Sequence, residues 1–124
     1  MIEGRVDARL EATLSLDVQR PGGRPCTIEA VVDTGYSEFL SLPPDRVGEL
    51  GLTRKHQGSA RLADGSEIAF GVYDAELVWD GQMVAVLVDE AETTPLVGMA
   101  LLEGHELRIE ARIGGRVLID LLPA

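Results

Sequence analysis

The 124 residues predict an all-β domain, a closed or partly closed barrel with one or two short helices. Three observations carry that reading. The N-terminal segment alternates apolar and polar residues with a period of two. Two Asp-Gly pairs sit between further alternating runs. Many short strands separated by turn signals, with no repeat and no linker, suit a barrel in which the sheet closes on itself.

The first element is the clearest. Val6, Ala8, Leu10, Ala12, Leu14, Leu16 and Val18 fall on one side, and Asp7, Arg9, Glu11, Thr13, Ser15 and Asp17 on the other. That pattern is half-buried β structure, as one long bent strand or two short ones. Ile2-Glu3-Gly4-Arg5 has the look of a processing-protease site, yet Ile2 and Gly4 keep phase with the strand that follows. Arg20-Pro21-Gly22-Gly23-Arg24-Pro25 breaks the alternation, and Cys26, Ile28, Ala30 and Val32 resume it up to Asp33.

Residues 39–42 read as a short strand. Residues 43–50 read as a helix, with proline at its start, Gly51 to end it, and Val47 and Leu50 as its buried stripe. Asp64-Gly65 and Asp80-Gly81 predict two-residue hairpin turns. The first hairpin pairs residues 59–63 with 66–72, and the second pairs 73–79 with 82–88. Residues 96–104 read as a buried strand end running into a short helix, and 105–113 with 116–121 as a last hairpin around Gly114-Gly115.

Composition bounds the function. A chain of this length buries enough surface to fold as one domain, residues 1–124. Its formal net charge of −10 argues against nucleic acid, which is bound through clustered Lys and Arg, and against an anionic membrane surface. Cys26 is the only cysteine, so no internal disulfide can form, and its neighbours suit a buried small hydrophobe. His56 and His105 have no metal-ligand spacing, so no metal and no cofactor are expected. The longest apolar run, residues 83–88, is too short to span a bilayer, and no secretory signal is visible. A cytoplasmic location is the default expectation.

The chemistry is concentrated in Val32-Asp33-Thr34-Gly35. An Asp-Thr-Gly tripeptide alone reads equally well as a turn at a strand end. Here it closes an apolar strand and is followed by Tyr36-Ser37-Glu38-Phe39-Leu40. With that context the segment resembles the active-site loop of the retropepsin-like aspartic proteases, in their small bacterial single-domain form. Leu96-Val97-Gly98 is similar to the family's second motif, an apolar pair and a glycine before a short helix. The hairpin tipped by Ala63, Asp64 and Gly65 lies between the two motifs, where the family carries a flap over bound peptide.

The resemblance implies a retropepsin-like barrel with a flap hairpin, a homodimer, and a peptide or protein substrate. Asp33 would be the catalytic carboxylate, supported by Thr34, Gly35 and Ser37. Leu96, Val97 and Gly98 would pack on the site. Two carboxylates sharing a site cannot easily both ionise, so one keeps a proton and the pair supplies both base and acid. A second Asp33 can come only from a symmetry-related copy.

Three departures stand out. Tyr36 occupies a position usually held by Ala, Ser or Thr, the flap tip is acidic and poor in glycine, and the chain continues past the family's usual last strand. An active endopeptidase, a peptide-binding or regulatory module that keeps the fold without proteolysis, and an unrelated barrel with Asp-Thr-Gly as a turn are the three readings open at this point. Trp79 reads as sheet packing, and Asp89, Glu90 and Glu92 as a solvated acidic loop.

Overall fold

A computed structural model describes residues Met1–Ala124. The chain forms β1 (Ile2–Val6), β2 (Ala12–Val18), β3 (Cys26–Val32), β4 (Leu40–Leu42) and α1 (Pro44–Leu50). There follow β5 (Thr53–Arg61), β6 (Glu67–Trp79), β7 (Gln82–Glu90), β8 (Leu96–Val97), α2 (Met99–Leu102), β9 (His105–Ile109) and β10 (Arg116–Leu121).

All ten strands belong to one sheet of order β5-β6-β7-β4-β8-β3-β2-β1-β10-β9. An additional pairing of β6 with β2, at Val18 and Leu77, closes β2, β3, β8, β4, β7 and β6 into a six-stranded barrel. Closure removes open edges from the barrel itself. The flap strand β5 extends the sheet beyond β6, and β1, β10 and β9 extend it beyond β2.

The period-two pattern sets what the barrel encloses. Leu14, Leu16 and Val18 of β2 point inward and are at most 2% exposed. Ser15 and Asp17 between them point outward and bond across to Glu29 and Thr27 of β3. Ile28, Ala30, Leu40, Leu42, Leu77, Val88 and Val97 complete the centre of the core. Burying side chains of this size stabilises the fold by about 1.5–3 kcal/mol each for the Leu, Ile and Val residues. Val47 and Leu50 of α1 are buried as its spacing predicts, and Gly51 ends the helix at φ 64°.

Several boundaries differ from the sequence reading. The N-terminal alternation takes the second of its two readings, two short strands, joined by a tight turn in which the Asp7 N–H donates to the Glu11 carbonyl and the Asp7 carboxylate accepts from the Arg9 and Glu11 amides. Leu10, assigned to the inner face, therefore sits in the turn at φ 62° and is 65% exposed. Residues 67–79 form one continuous strand that serves both hairpins, because the flap arm runs on into the barrel wall.

Asp80-Gly81 makes the expected turn with φ of 50° and 79°. Asp64-Gly65 does not. The Asp64 carboxylate binds the Ser66 amide, and the Leu62 N–H bonds the Ser66 carbonyl, so the loop is wider than two residues. The last hairpin is also wider: β9 stops at Ile109, and residues 110–115 fold under the Glu110 carboxylate, which accepts from the Arg116 backbone and guanidinium. Asp89 and Glu90, read as loop residues, end β7. No helix is long and apolar enough to cross a membrane.

Candidate active site

Asp33 stands at the end of β3, where three segments are knitted together by backbone hydrogen bonds. Strand β8 lies between β3 and β4, parallel to the first and antiparallel to the second. The Asp33 N–H donates to the Val97 carbonyl at 2.9 Å, and the Val31 N–H to the Pro95 carbonyl at 2.9 Å. On the other side of β8 the Gly98 N–H donates to the Phe39 carbonyl at 3.0 Å. The Met99 N–H reaches the Tyr36 carbonyl at 2.7 Å and the Ala100 N–H the Glu38 carbonyl at 3.2 Å. Both arms of the Asp33 loop are thus tied to one short segment, Pro95 to Ala100.

Only glycine fits at the crossing. A Cβ on Gly98 would collide with the Glu38 carbonyl oxygen and lie 2.7 Å from that of Tyr36. The backbone approach that makes the crossing possible therefore excludes every other residue type at this position. Val97, beside it, is completely buried, while Leu96 is half-buried.

Within the loop, the Tyr36 N–H donates to the Asp33 carbonyl at 3.1 Å, and the Gly35 N–H donates to the Asp33 carboxylate at 2.9 Å. The carboxylate is thereby aimed by its own turn, and the half-buried Asp33 keeps a face toward solvent. Thr34 and Ser37 are exposed. One chain brings a single carboxylate to this position.

Two grooves of about 580 Å³ each flank the loop. The first starts at Gly35, Tyr36, Ser37 and Glu38 and is roofed by Ser59, Ala60, Ile68, Ala69 and Phe70 of the β5–β6 hairpin. Its far wall is Asp89, Glu90, Ala91 and Glu92, and no basic residue lines it. The second contains Asp33 itself, with Val6, Leu10, Val31, Val32, Leu96 and Ile109. The hairpin thus occupies the place of a flap, but its arms form the roof. The tip residues Ala63, Asp64 and Gly65 are exposed and line neither groove.

Tyr36 is the residue whose surroundings the sequence did not reveal. Its hydroxyl donates to the Asp89 carboxylate at 2.6 Å and approaches the Leu40 carbonyl at 3.3 Å. Burial, and then the Asp89 carboxylate, push the Tyr36 hydroxyl well above its ordinary pKa. The phenol stays a neutral donor and joins the Asp33 loop to the end of β7. The two residues lie far apart in sequence, and neither belongs to a motif, so nothing local could have paired them. Leu10 and Ile109, also far apart in sequence, line one groove with Asp33. No group of three or more His, Cys, Asp or Glu side chains is arranged to hold a metal ion.

No protein-family model matches the sequence, and no curated protein matches it at the sequence level. Among solved structures, the chain is similar to a retropepsin-like aspartic protease from Rickettsia conorii, with a TM-score of 0.64 and 18% identity. That match covers 99% of this chain and 91% of the other. It is also similar to EIAV protease, solved in complex with the inhibitor HBY-793, with a TM-score of 0.57 and 18% identity over 75% of this chain and 86% of that one. The fold is retropepsin-like.

Proposed function

We propose that this retropepsin-like chain is an aspartic endopeptidase that works as a homodimer, with one Asp33 from each protomer. The observation that carries the reading is the position of Asp33. It stands on a loop held from both arms by the Pro95–Ala100 segment, its carboxylate is aimed by the Gly35 amide, and it lines one groove while the next residues of its loop, Gly35 to Glu38, line a second that a hairpin roofs. The solved structures with the same fold are aspartic proteases, which supports the same chemistry here.

In that reading the two carboxyl groups share a proton, since like charges this close cannot both ionise. The ionised Asp33 takes a proton from a water as the water oxygen bonds to the peptide carbonyl carbon. The protonated Asp33 gives its proton to the carbonyl oxygen. A tetrahedral gem-diol results. Return of a proton from the diol to a carboxylate, and protonation of the amide nitrogen, then break the C–N bond and leave a carboxylic acid and an amine.

Residues of this chain supply the positioning. Gly35 and the bond to Val97 hold the carboxylate. Thr34, exposed in the protomer, would meet its counterpart across the dimer. Ser37, Glu38 and the flap arms form the groove in which an extended peptide would lie, and closure of the hairpin would exclude bulk water.

The test is cleavage of a broad peptide library from acidic to neutral pH by the wild type and Asp33→Asn, with and without a pepstatin-type transition-state mimic. Cleavage that the mutation removes and the mimic blocks is the expected result. Equal cleavage by Asp33→Asn would refute the mechanism. Absence of cleavage by a folded, dimeric protein would point instead to a peptide-binding module.

A further inference from the structure

We propose that the groove roofed by the flap arms selects a basic side chain, Arg or Lys, on the peptide, and that Ser41 and Asp89 are the residues that read it. The inference rests on the protease reading and names the substrate class of that site.

The floor of the groove holds a serine whose hydrogen-bonding capacity is unused. In β4, Leu40 and Leu42 are fully buried inside the barrel, so Ser41 between them faces the other way, into the groove that it lines. Ser41 is only 3% exposed, yet its hydroxyl makes no hydrogen bond within the chain. Buried polar groups are as a rule paired, so an unpaired hydroxyl aimed into an open groove marks a place for a ligand atom.

Asp89 stands beside it. The two residues are register partners in the parallel pairing of β4 with β7, which puts their side chains on one face of the sheet. The Tyr36 hydroxyl bonds Oδ2 of Asp89 and fixes the carboxylate, while Oδ1 takes no bond from the chain. Glu38, Glu90 and Glu92 add three more carboxylates to the lining, and no basic residue of the groove answers them. The ion pairs of the chain all lie elsewhere, and none includes any of these four acids. A groove lined by one sign of charge concentrates the opposite sign. An acidic side chain is repelled there, and a purely apolar one leaves the Ser41 hydroxyl unpaired.

The rest of the lining suits the stem of a long basic side chain. Ala60, Ile68, Ala69 and Phe70 of the roof and Pro44 of the rim are apolar. Lys and Arg lay their methylenes along such a surface and keep the charged end in a polar setting, and a guanidinium also stacks on an aromatic ring. The groove that contains Asp33 differs: eight of its ten lining residues are hydrophobic, so the choice of charge falls to the first groove.

The experiment uses pairs of library peptides that differ only by arginine against citrulline, its neutral isostere, at one position. Cleavage gives kcat/KM for each member, and fluorescence anisotropy of the labelled pair gives affinity. Wild type, Asp89→Asn, Glu38→Gln and Ser41→Ala are compared, with thermal melts to check folding. Wild type should favour arginine by about tenfold or more in both readouts. Asp89→Asn keeps an acceptor for the Tyr36 hydroxyl and removes the charge, so the ratio should fall toward one. Ser41→Ala should weaken the arginine peptide by about fivefold. Glu38→Gln, an exposed change that carries the test if Asp89→Asn fails to fold, should narrow the ratio by about threefold.

A wild type that treats arginine and citrulline alike would overturn the proposal, and so would a preference that all three variants leave intact. Cleavage lost in Asp33→Asn would keep the protease reading in either case. Arginine-selective binding that responds to these variants, in a wild type that cuts no peptide, would keep the groove and reject the protease.

Discussion

The Asp33 loop and the flap face each other across one groove, yet they are held in opposite ways. The loop is tied to β8 and its flanks by five backbone hydrogen bonds, and its neighbour Val97 is fully buried. In the flap, every residue from 53 to 69 is exposed except the half-buried Gly58. The hairpin stands on its own ladder of paired strands, from Thr53 opposite Asp74 to Arg61 opposite Glu67. A rigid floor and a lightly packed roof suit a site where chemistry needs fixed geometry and substrate needs entry. The contrast separates the costs of mutation: a backbone clash at the floor should cost global stability, and one at the roof should cost only the hairpin.

The largest effect should come at the floor. Asp33→Asn keeps the shape of the turn and removes the acid–base group of the proposed mechanism, so kcat should fall by about a hundredfold to ten-thousandfold with little change in unfolding free energy. Peptide cleavage and urea denaturation of the same preparation check both halves.

Gly98→Ala attacks the crossing itself. Its Cβ would meet two carbonyl oxygens of the Asp33 loop, and the backbone would have to separate. A loss of about 3 kcal/mol or more in urea unfolding is expected. A loss under about 1 kcal/mol would mean that the loop and β8 are less tightly joined than their hydrogen bonds indicate.

Gly65→Ala is the matching change at the roof. Gly65 has φ 86°, and no atom lies within 4 Å of where an alanine Cβ would stand, so the strain is local. Its cost is about 1–2 kcal/mol within the hairpin. Hydrogen exchange should quicken across β5 and the flap arm of β6 while the barrel amides keep their protection. Uniform loss of protection would show that flap and barrel unfold as one unit.

Tyr36→Phe cuts the link between the loop and β7, leaves the Asp89 carboxylate without that donor, and should cost about 1–2 kcal/mol. It also has a pH signature. Because the folded protein raises the Tyr36 pKa above its ordinary value of 10.0, the native state holds the proton more tightly than the unfolded chain. That stability is complete below pH 10 and is lost as pH climbs beyond it. Wild type should weaken more steeply than Tyr36→Phe in alkaline denaturation. Parallel curves would remove the hydrogen bond from the account.

The smallest effect concerns the loop beyond β9. Arg116, by hydrogen bonding, lowers the Glu110 carboxyl to about 2 from an ordinary 4.5. A depressed carboxyl stabilises above its unfolded value and loses that contribution as pH falls toward the folded one. Acid unfolding between pH 4.5 and 2 should therefore be slightly less steep in Glu110→Gln. Identical profiles would show that the exposed pair contributes nothing, as many surface pairs do.

Much of the barrel was legible in the chain because its information is local. Leu14, Leu16 and Val18 alternate with polar neighbours, and a strand with one face buried must show that period. Pro44 and Gly51 bracket α1 through backbone preferences that act within a single turn. Asp33-Thr34-Gly35 and Leu96-Val97-Gly98 were readable as motifs. What joined them, β8 entering between β3 and β4, was visible only as a resemblance. Leu10 was misplaced because alternation continues through a turn without any residue announcing it, and only the Asp7 carboxylate, bonded to two amides, shows where the strand ends.

Local order along the chain was enough to specify most strands, the apolar face of each, the lone Asp33 turn and the glycine at position 98. Those follow from side-chain period and backbone freedom, which act over a few residues. Closure of the barrel through β6 and β2, the reach of Tyr36 to Asp89, and the roofing of the groove by the flap arms instead of the tip emerged only in three dimensions. So did the two open edges, β5 and β9. Each of these depends on which distant strands become neighbours, and that is set by how the whole apolar surface is buried at once.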